Sequence, residues 1–175
     1  QSPFHERMIL VTSLNKAFAS GGAVVVIPDP ELSNLARTCG GPFIFAGQLQ
    51  MSALGAGIAC AKIHLSDEIK ELQTNLKSKI DFCEVQLRKH NLPFIERAIG
   101  TPIFFVGLGL PRLGYALVQK MIRSGQYLNL ALFPAVAASC AGVRFTITKN
   151  HSFAQIETMV EKLAIHFQET LYEEE

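Results

Sequence analysis

Thr12-Ser13-Leu14-Asn15-Lys16-Ala17-Phe18-Ala19-Ser20-Gly21-Gly22 joins two short apolar runs, Met8-Ile9-Leu10-Val11-Thr12 before it and Ala23-Val24-Val25-Val26-Ile27 after it. Runs of that length and β-branched content predict strands buried on both faces. Pro28 stops the second run, because proline has no donor to give to a ladder. The connection is too short for the helical crossover that parallel strands need, so the two strands are predicted to be antiparallel neighbours. One lysine, Lys16, sits in that connection among hydroxyls and small residues. On its own such a lysine reads as solvated.

Downstream, Asp29-Pro30-Glu31 is a helix start: Asp29 can accept from orphan amides, Pro30 needs no donor in the first turn, and Glu31 opposes the dipole. That helix should fade before Gly40-Gly41-Pro42. Residues 49–63 are dominated by small and apolar side chains, among them Ala53, Ala56, Ala59 and Ala61, a composition that lets other backbone approach closely. A helix buried on several sides is expected there. After Ser66, the spacing of Ile69, Leu72, Leu76, Ile80, Cys83 and Leu87 predicts a one-sided apolar helix ending near Asn91, with Lys70, Glu71, Lys77 and Lys79 toward water.

Beyond Pro93 the elements shorten. Residues 102–108 read as a strand, 111–124 as a helix stopped by Gly125, and 127–133 as a strand. Val143, Phe145 and Ile147 alternate with Arg144, Thr146 and Thr148, the two-residue period of a half-exposed strand that turns Arg144 outward. His151 precedes a capping box, Ser152 with Gln155, and reads as a turn residue. The final helix is expected to bury Phe153, Ile156, Val160, Leu163 and Phe167, and residues 173–175 to form a frayed tail.

Composition narrows the possibilities. The 175 residues suit one domain, or one domain with a piece of another, and 49% hydrophobic against 18% charged residues exclude disorder. With 16 Lys plus Arg against 15 Asp plus Glu there is no field to attract nucleic acid or an acidic membrane surface. Cys39, Cys60, Cys83 and Cys140 form no metal-ligand cluster and read as buried thiols in a reducing compartment. No apolar window is long enough for a membrane helix and residues 1–7 hold no signal pattern, so the cytoplasm is the expected location. The element order, two strands, a helical stretch, then β-α-β-β-α without internal repeats, predicts a small α+β domain joined by long helices to a fragment of a larger sheet.

A strand ending in Thr/Ser, a two-residue spacer, Lys, and a small-residue run into Gly-Gly and another apolar strand resembles the cofactor-lysine segment of the α-oxoamine synthase family of pyridoxal 5'-phosphate enzymes. Further matches follow in the family's order. Ala36-Arg37 with Pro42-Phe43-Ile44-Phe45 resembles the stretch leading to the interdomain helix. Gly125-Gln126-Tyr127-Leu128-Asn129-Leu130-Ala131-Leu132-Phe133-Pro134 resembles a small-domain strand that ends near the active site. Gly142-Val143-Arg144-Phe145-Thr146-Ile147-Thr148 with His151-Ser152 resembles the family's last strand and the start of its last helix.

The resemblance implies the aspartate-aminotransferase type fold (fold type I, α/β plus α+β), seen in its carboxy-terminal part. Residues 1–50 would be a remnant of the large cofactor-binding domain, 51–92 interdomain helices and 93–175 the small carboxy-terminal α+β domain. It implies pyridoxal 5'-phosphate as cofactor and a homodimer with sites at the subunit interface. Lys16, in a partly desolvated site, would bond to the cofactor aldehyde and then serve as a base. Ser13 would hydrogen-bond the cofactor phosphate, and Arg144 would hold the substrate carboxylate with two parallel bonds. For Ser13 an ordinary strand-terminal role stays open, and for Arg144 that of an exposed strand arginine.

The implied activity condenses an amino acid with an acyl-CoA thioester. Ala46-Gly47 stands where the family often has Ser-Thr, Asn15 where Gly is frequent and Gly142 where many members carry a second arginine, so an unusual substrate is expected. The family's aspartate partner of the pyridine nitrogen and its ring-stacking residue would precede residue 1, so this chain alone is expected not to catalyse. Two alternatives remain at this point: a class II aminotransferase, and a non-enzymatic α+β ligand-binding or dimerising module.

Overall fold

The computed structural model describes residues 4–5, 7–96 and 100–173. The chain divides into two compact units, Gln1–Ile69 and Lys70–Glu175. In the first, strands β1 (Leu10–Ser13) and β2 (Ala23–Val26) pair antiparallel, with Leu10 opposite Val26 and Ser13 opposite Ala23. The short connection has forced the predicted pairing. The predicted burial is corrected, because both strands are exposed along their length, Val11 to 65%. A two-stranded ladder buries neither face by itself, and no described residue layers over it.

Helix α1 (Pro30–Cys39) begins as its sequence dictates: the Asp29 carboxylate accepts from the Glu31 and Leu32 amides at 2.8 and 3.3 Å. A single helical turn not foreseen in the sequence, α2 (Gly41–Ile44), follows with Pro42 in its first turn, where a missing donor costs nothing. Helix α3 (Met51–His64) contains no buried residue, which corrects the expectation of a helix covered on several sides. Only its small-residue face is half-covered, for the reason described below.

The second unit holds the core. Helix α4 (Glu68–Lys89) buries Ile80, Cys83 and Leu87 on its predicted stripe and ends two residues before Asn91, which takes the left-handed conformation (φ +53°). Lys79 departs from expectation. It lies beside that stripe, is only 8% exposed, and its amine donates to the Lys149 carbonyl. Of the four cysteines only Cys83 is buried; Cys39 and Cys140 are exposed and Cys60 half-buried, which corrects the reading of four buried thiols.

Strand β3 (Ile103–Gly109), helix α5 (Pro111–Arg123), strands β4 (Asn129–Ala131) and β5 (Ala141–Thr146) and helix α6 (Phe153–Tyr172) complete the β-α-β-β-α order. β5 lies between β3 and β4 and is antiparallel to both, so β3 and β4 run parallel to each other with α5 connecting them. Gly125 ends the α5 segment at φ +83°. β4 is shorter than predicted because only Asn129, Leu130 and Ala131 find partners on β5.

Val143 and Phe145 from β5, Phe104 and Val106 from β3, Leu117 and Met121 from α5, and Ile156, Val160 and Leu163 from α6 share one core with the α4 stripe. The Ser152–Gln155 capping box forms in full, and the Thr148 amide donates to His151 Nδ1 at 3.0 Å, the turn role expected of that histidine. Phe153 is 46% exposed rather than buried, since the first residue of α6 precedes the core-facing stripe; its ring meets Phe82 edge-on at 5.1 Å. Glu173 is not frayed: its carboxylate pairs with Lys120 at 2.8 Å, while residues 174–175 lie outside the described residues.

Gly142 illustrates how tightly the sheet is packed. A Cβ there would collide with the Phe105 ring and with the Val106 carbonyl oxygen, and the latter is backbone that cannot rotate away. Gly142→Ala should therefore lower unfolding free energy by about 1–3 kcal/mol in urea titration, against no change if the strand can shift. A second prediction concerns Glu169. His166 hydrogen-bonds it at 2.9 Å and holds its carboxyl below the usual carboxylate range; desolvation opposes this, and the charges of His166 and Lys120 add to it. A depressed carboxylate stabilises the fold above its unfolded-state range and loses that contribution as the pH falls through the folded value. Unfolding midpoints measured against pH should thus fall less steeply on the acid side in Glu169→Gln; an unaltered acid limb would contradict this.

Candidate active site

The connection that carries Lys16 is a built loop. Beyond Ser13, the Leu14 amide donates to the Gly22 carbonyl at 3.0 Å, extending the β1–β2 ladder, and the Ser20 amide donates back to the Leu14 carbonyl at 2.9 Å. Inside this closure the Ala19 amide donates to the Lys16 carbonyl at 2.9 Å, so Lys16 opens a tight turn. Ala19 takes the left-handed conformation at φ +46°, which side-chain-bearing residues disfavour.

Lys16 is exposed, and no described residue hydrogen-bonds or pairs with its amine. Within this chain the Lys16 amine is thus open to solvent. Ser13 Oγ accepts from the Asn15 amide at 3.2 Å, which leaves its own hydroxyl hydrogen free to donate. Ser13 and Lys16 therefore share one loop.

One face of α3 supports that loop. Ser20, 9% exposed, donates its hydroxyl to the Ala53 carbonyl at 2.6 Å. Gly57 lies beneath it, where an added Cβ would sit 3.4 Å from Ser20 Oγ. One turn on, Cys60 Sγ donates to the Ala17 carbonyl at 3.3 Å, and at the end of the helix His64 stacks on Phe18 with ring centroids 4.7 Å apart and planes 9° from parallel. Positions 53, 57, 60 and 64 recur at four, three and four residues, so all lie on one helix face. The small residues do admit other backbone, as the composition implied. Ser20, Cys60 and His64 were not read as site residues from sequence, although that spacing was the available signal.

Arg144 belongs to the second unit. It stands exposed on the central strand β5, with Phe105 of β3 and Asn129 of β4 as its lateral partners. Phe105, on the same face, leans over Gly142, so an aromatic ring occupies the space a side chain at 142 would take. A cleft of about 750 Å³ in this unit, lined by Tyr127, Asn129, His151 and Gln155 among others, includes none of Ser13, Lys16 and Arg144.

Comparison with known proteins agrees with this architecture. Among curated relatives, 8-amino-7-oxononanoate synthase of Xylella fastidiosa (strain M12) is 25% identical over 154 residues, covering 88% of this chain and 37% of that protein. 8-amino-7-oxononanoate synthase 2 of Bacillus subtilis (strain 168) is 27% identical over 159 residues, covering 87% and 38%. Among solved structures, serine palmitoyltransferase from S. paucimobilis with a bound PLP–myriocin aldimine superposes with a TM-score of 0.83 at 20% identity, over 94% of this chain and 40% of that one. 8-amino-7-oxononanoate synthase from Francisella tularensis gives 0.77 at 23%, over 96% and 47%.

These superpositions show the fold to be the type I transferase fold expected from sequence. The chain spans less than half the length of the relatives it matches. The sequence profile described as aminotransferase class I and II matches residues 3–163, and the chain belongs to that family.

Proposed function

We propose that this chain carries the cofactor lysine and the carboxylate-binding arginine of a pyridoxal 5'-phosphate-dependent acyltransferase of the α-oxoamine synthase type. The observation that carries the reading is the Lys16 amine, unpaired among the described residues, at the start of a tight turn three residues from a hydroxyl with a hydrogen to give. A primary amine that is reachable suits an aldehyde, and a neutral donor on the same loop suits a phosphate, so the residues present fit this cofactor. Relatives named 8-amino-7-oxononanoate synthase and the match to serine palmitoyltransferase support the acyl-transfer class.

When bound, pyridoxal 5'-phosphate supplies an aldehyde for a lysine amine and a ring that accepts the electron pair released at an amino-acid α-carbon. Lys16 Nζ would be the group that holds the cofactor through its aldehyde. With its amine free, the same Nζ would take and return the proton at the amino-acid α-carbon. Ser13 Oγ–H would donate to the phosphate. The planar Arg144 guanidinium holds the amino-acid carboxylate by two parallel charge-assisted bonds.

The second substrate in this reading is an acyl-CoA thioester. Residues 1–50 then act as part of the cofactor domain, 51–92 as interdomain helices and 93–175 as the small domain of a protein that works as a homodimer. This chain alone does not catalyse in this reading, since relatives more than twice its length carry the named activities.

A class II aminotransferase is the second reading, favoured by the family profile itself. An intact protein that releases coenzyme A when given an amino acid and an acyl-CoA, without passing the amino group to a keto acid, separates the first from the second. The cofactor assignment is tested directly by mixing the chain with pyridoxal 5'-phosphate, reducing with borohydride and mapping the pyridoxyl label by peptide mass. Label should concentrate on Lys16 and disappear in Lys16→Ala; equal total label in that variant would overturn the assignment. In an intact protein Arg144→Ala should raise the amino-acid KM by about 10–100-fold, the worth of lost hydrogen bonds to a charged group. An unchanged KM would remove Arg144 from the site.

A further inference from the structure

The structure assigns Cys60 and His64 a role that no motif announces: we infer that they are positioning residues, which hold the turn that follows Lys16 and so limit the directions in which its amine is delivered. The inference rests on the reading of Lys16 as the cofactor lysine.

The hydrogen bonds at this end of α3 have a defined sense. His64 Nδ1 lies 2.9 Å from the Cys60 carbonyl oxygen and 3.5 Å from Cys60 Sγ. A carbonyl only accepts, so Nδ1 carries the hydrogen and the imidazole is the donor. The sulfur lone pairs face the same hydrogen, and the thiol hydrogen is left to donate to the Ala17 carbonyl at 3.3 Å. Donors thus run from His64 to Cys60 to Ala17, the residue that follows Lys16.

The preceding carbonyl, that of Lys16, is held by the Ala19 amide at 2.9 Å. The Lys16 and Ala17 carbonyls, on the two successive peptide groups that follow the Lys16 Cα, are therefore both held, which fixes the course of the chain as it leaves Lys16. The Phe18 ring, stacked flat on His64 at 4.7 Å, keeps the imidazole from turning its Nδ1 away.

The turn needs this support. Between the Leu14 and Gly22 rungs there is no ladder, and Ala19 is in a conformation that a side-chain-bearing residue leaves readily. Ser20 anchors the loop to Ala53 at the other end of the same helix face, eleven residues or about 16 Å of helix from His64. With Ser20 alone the loop would be pinned at its far side and the Lys16 side would be free to open.

The test uses two readouts on the same variants. In the first, trypsin cleavage at the Lys16–Ala17 bond is followed by peptide mass, with cleavage after Lys149, in the other unit, as the internal standard. Cys60→Ala and His64→Ala should raise the Lys16 cleavage rate about fivefold relative to the standard, the scale of one lost hydrogen bond in a local opening equilibrium. Cys60→Ser, which keeps a donor, should restore most of the protection. In the second, the share of borohydride-fixed pyridoxyl found on Lys16 rather than on other lysines should fall by a similar factor in Cys60→Ala and return in Cys60→Ser.

Unchanged cleavage in both alanine variants, or an unchanged share of label on Lys16, overturns the positioning role. A parent chain that takes no label at Lys16 instead defeats the proposed function, while the cleavage ratio still decides whether Cys60 and His64 hold the turn.

Discussion

A hydroxyl that is almost fully buried ties a loop to a helix: Ser20 donates to the Ala53 carbonyl at 2.6 Å. The first unit depends on this contact because its strands, exposed on both faces, supply little burial of their own. A two-stranded ladder with open faces is marginal in water. What orders its connecting loop is the row of small residues on α3, where Ala53 and Gly57 let the loop backbone approach and Cys60 and His64 meet it with side chains. The close approach is the reason a glycine at 57 suits a helix interior that glycine otherwise weakens.

The second unit is organised on a different constraint. β5 is central and antiparallel to both neighbours, so Val143 is flanked by a strand on each side, and Val143 and Phe145 share a core with residues of β3, α5 and α6. The same pleat that buries those residues turns Arg144 outward between Phe105 and Asn129. An arginine displayed by the middle strand leaves the sheet in a repeatable direction, because its neighbours on both sides are fixed by ladder hydrogen bonds. Gly142 keeps that face close-packed by leaving room for Phe105.

Much of the secondary structure was legible because local rules dictated it. The Ser13–Gly22 connection was too short for anything but antiparallel pairing, the Val143–Thr148 alternation gave the exposed face to Arg144, and Ser152 with Gln155 announced the start of α6. Burial was less legible. The Ala23–Val26 run looks like a core strand, and α3 looks like a core helix, yet both are exposed because burial requires a covering layer that local pattern does not supply. Lys79 was misread for the opposite reason, since a long side chain can bury its stem and still find a distant carbonyl. The roles given to Lys16, Ser13 and Arg144 came from family resemblance; periodicity and spacing alone would have left Lys16 a solvated loop residue. Ser20, Cys60 and His64 escaped notice because their partners, Ala53, Ala17 and Phe18, lie more than thirty residues away along the chain.

The proposed site requires a lysine turn that is held closed before any ligand arrives. Amide hydrogen exchange of the free chain, read at Leu14, Ala19 and Ser20, tests this most directly, since these donors close the loop onto Gly22, Lys16 and Leu14. Exchange there should be at least about tenfold slower than in an unstructured peptide of the same sequence. Exchange at the unstructured rate at all three amides would show an open connection and contradict it.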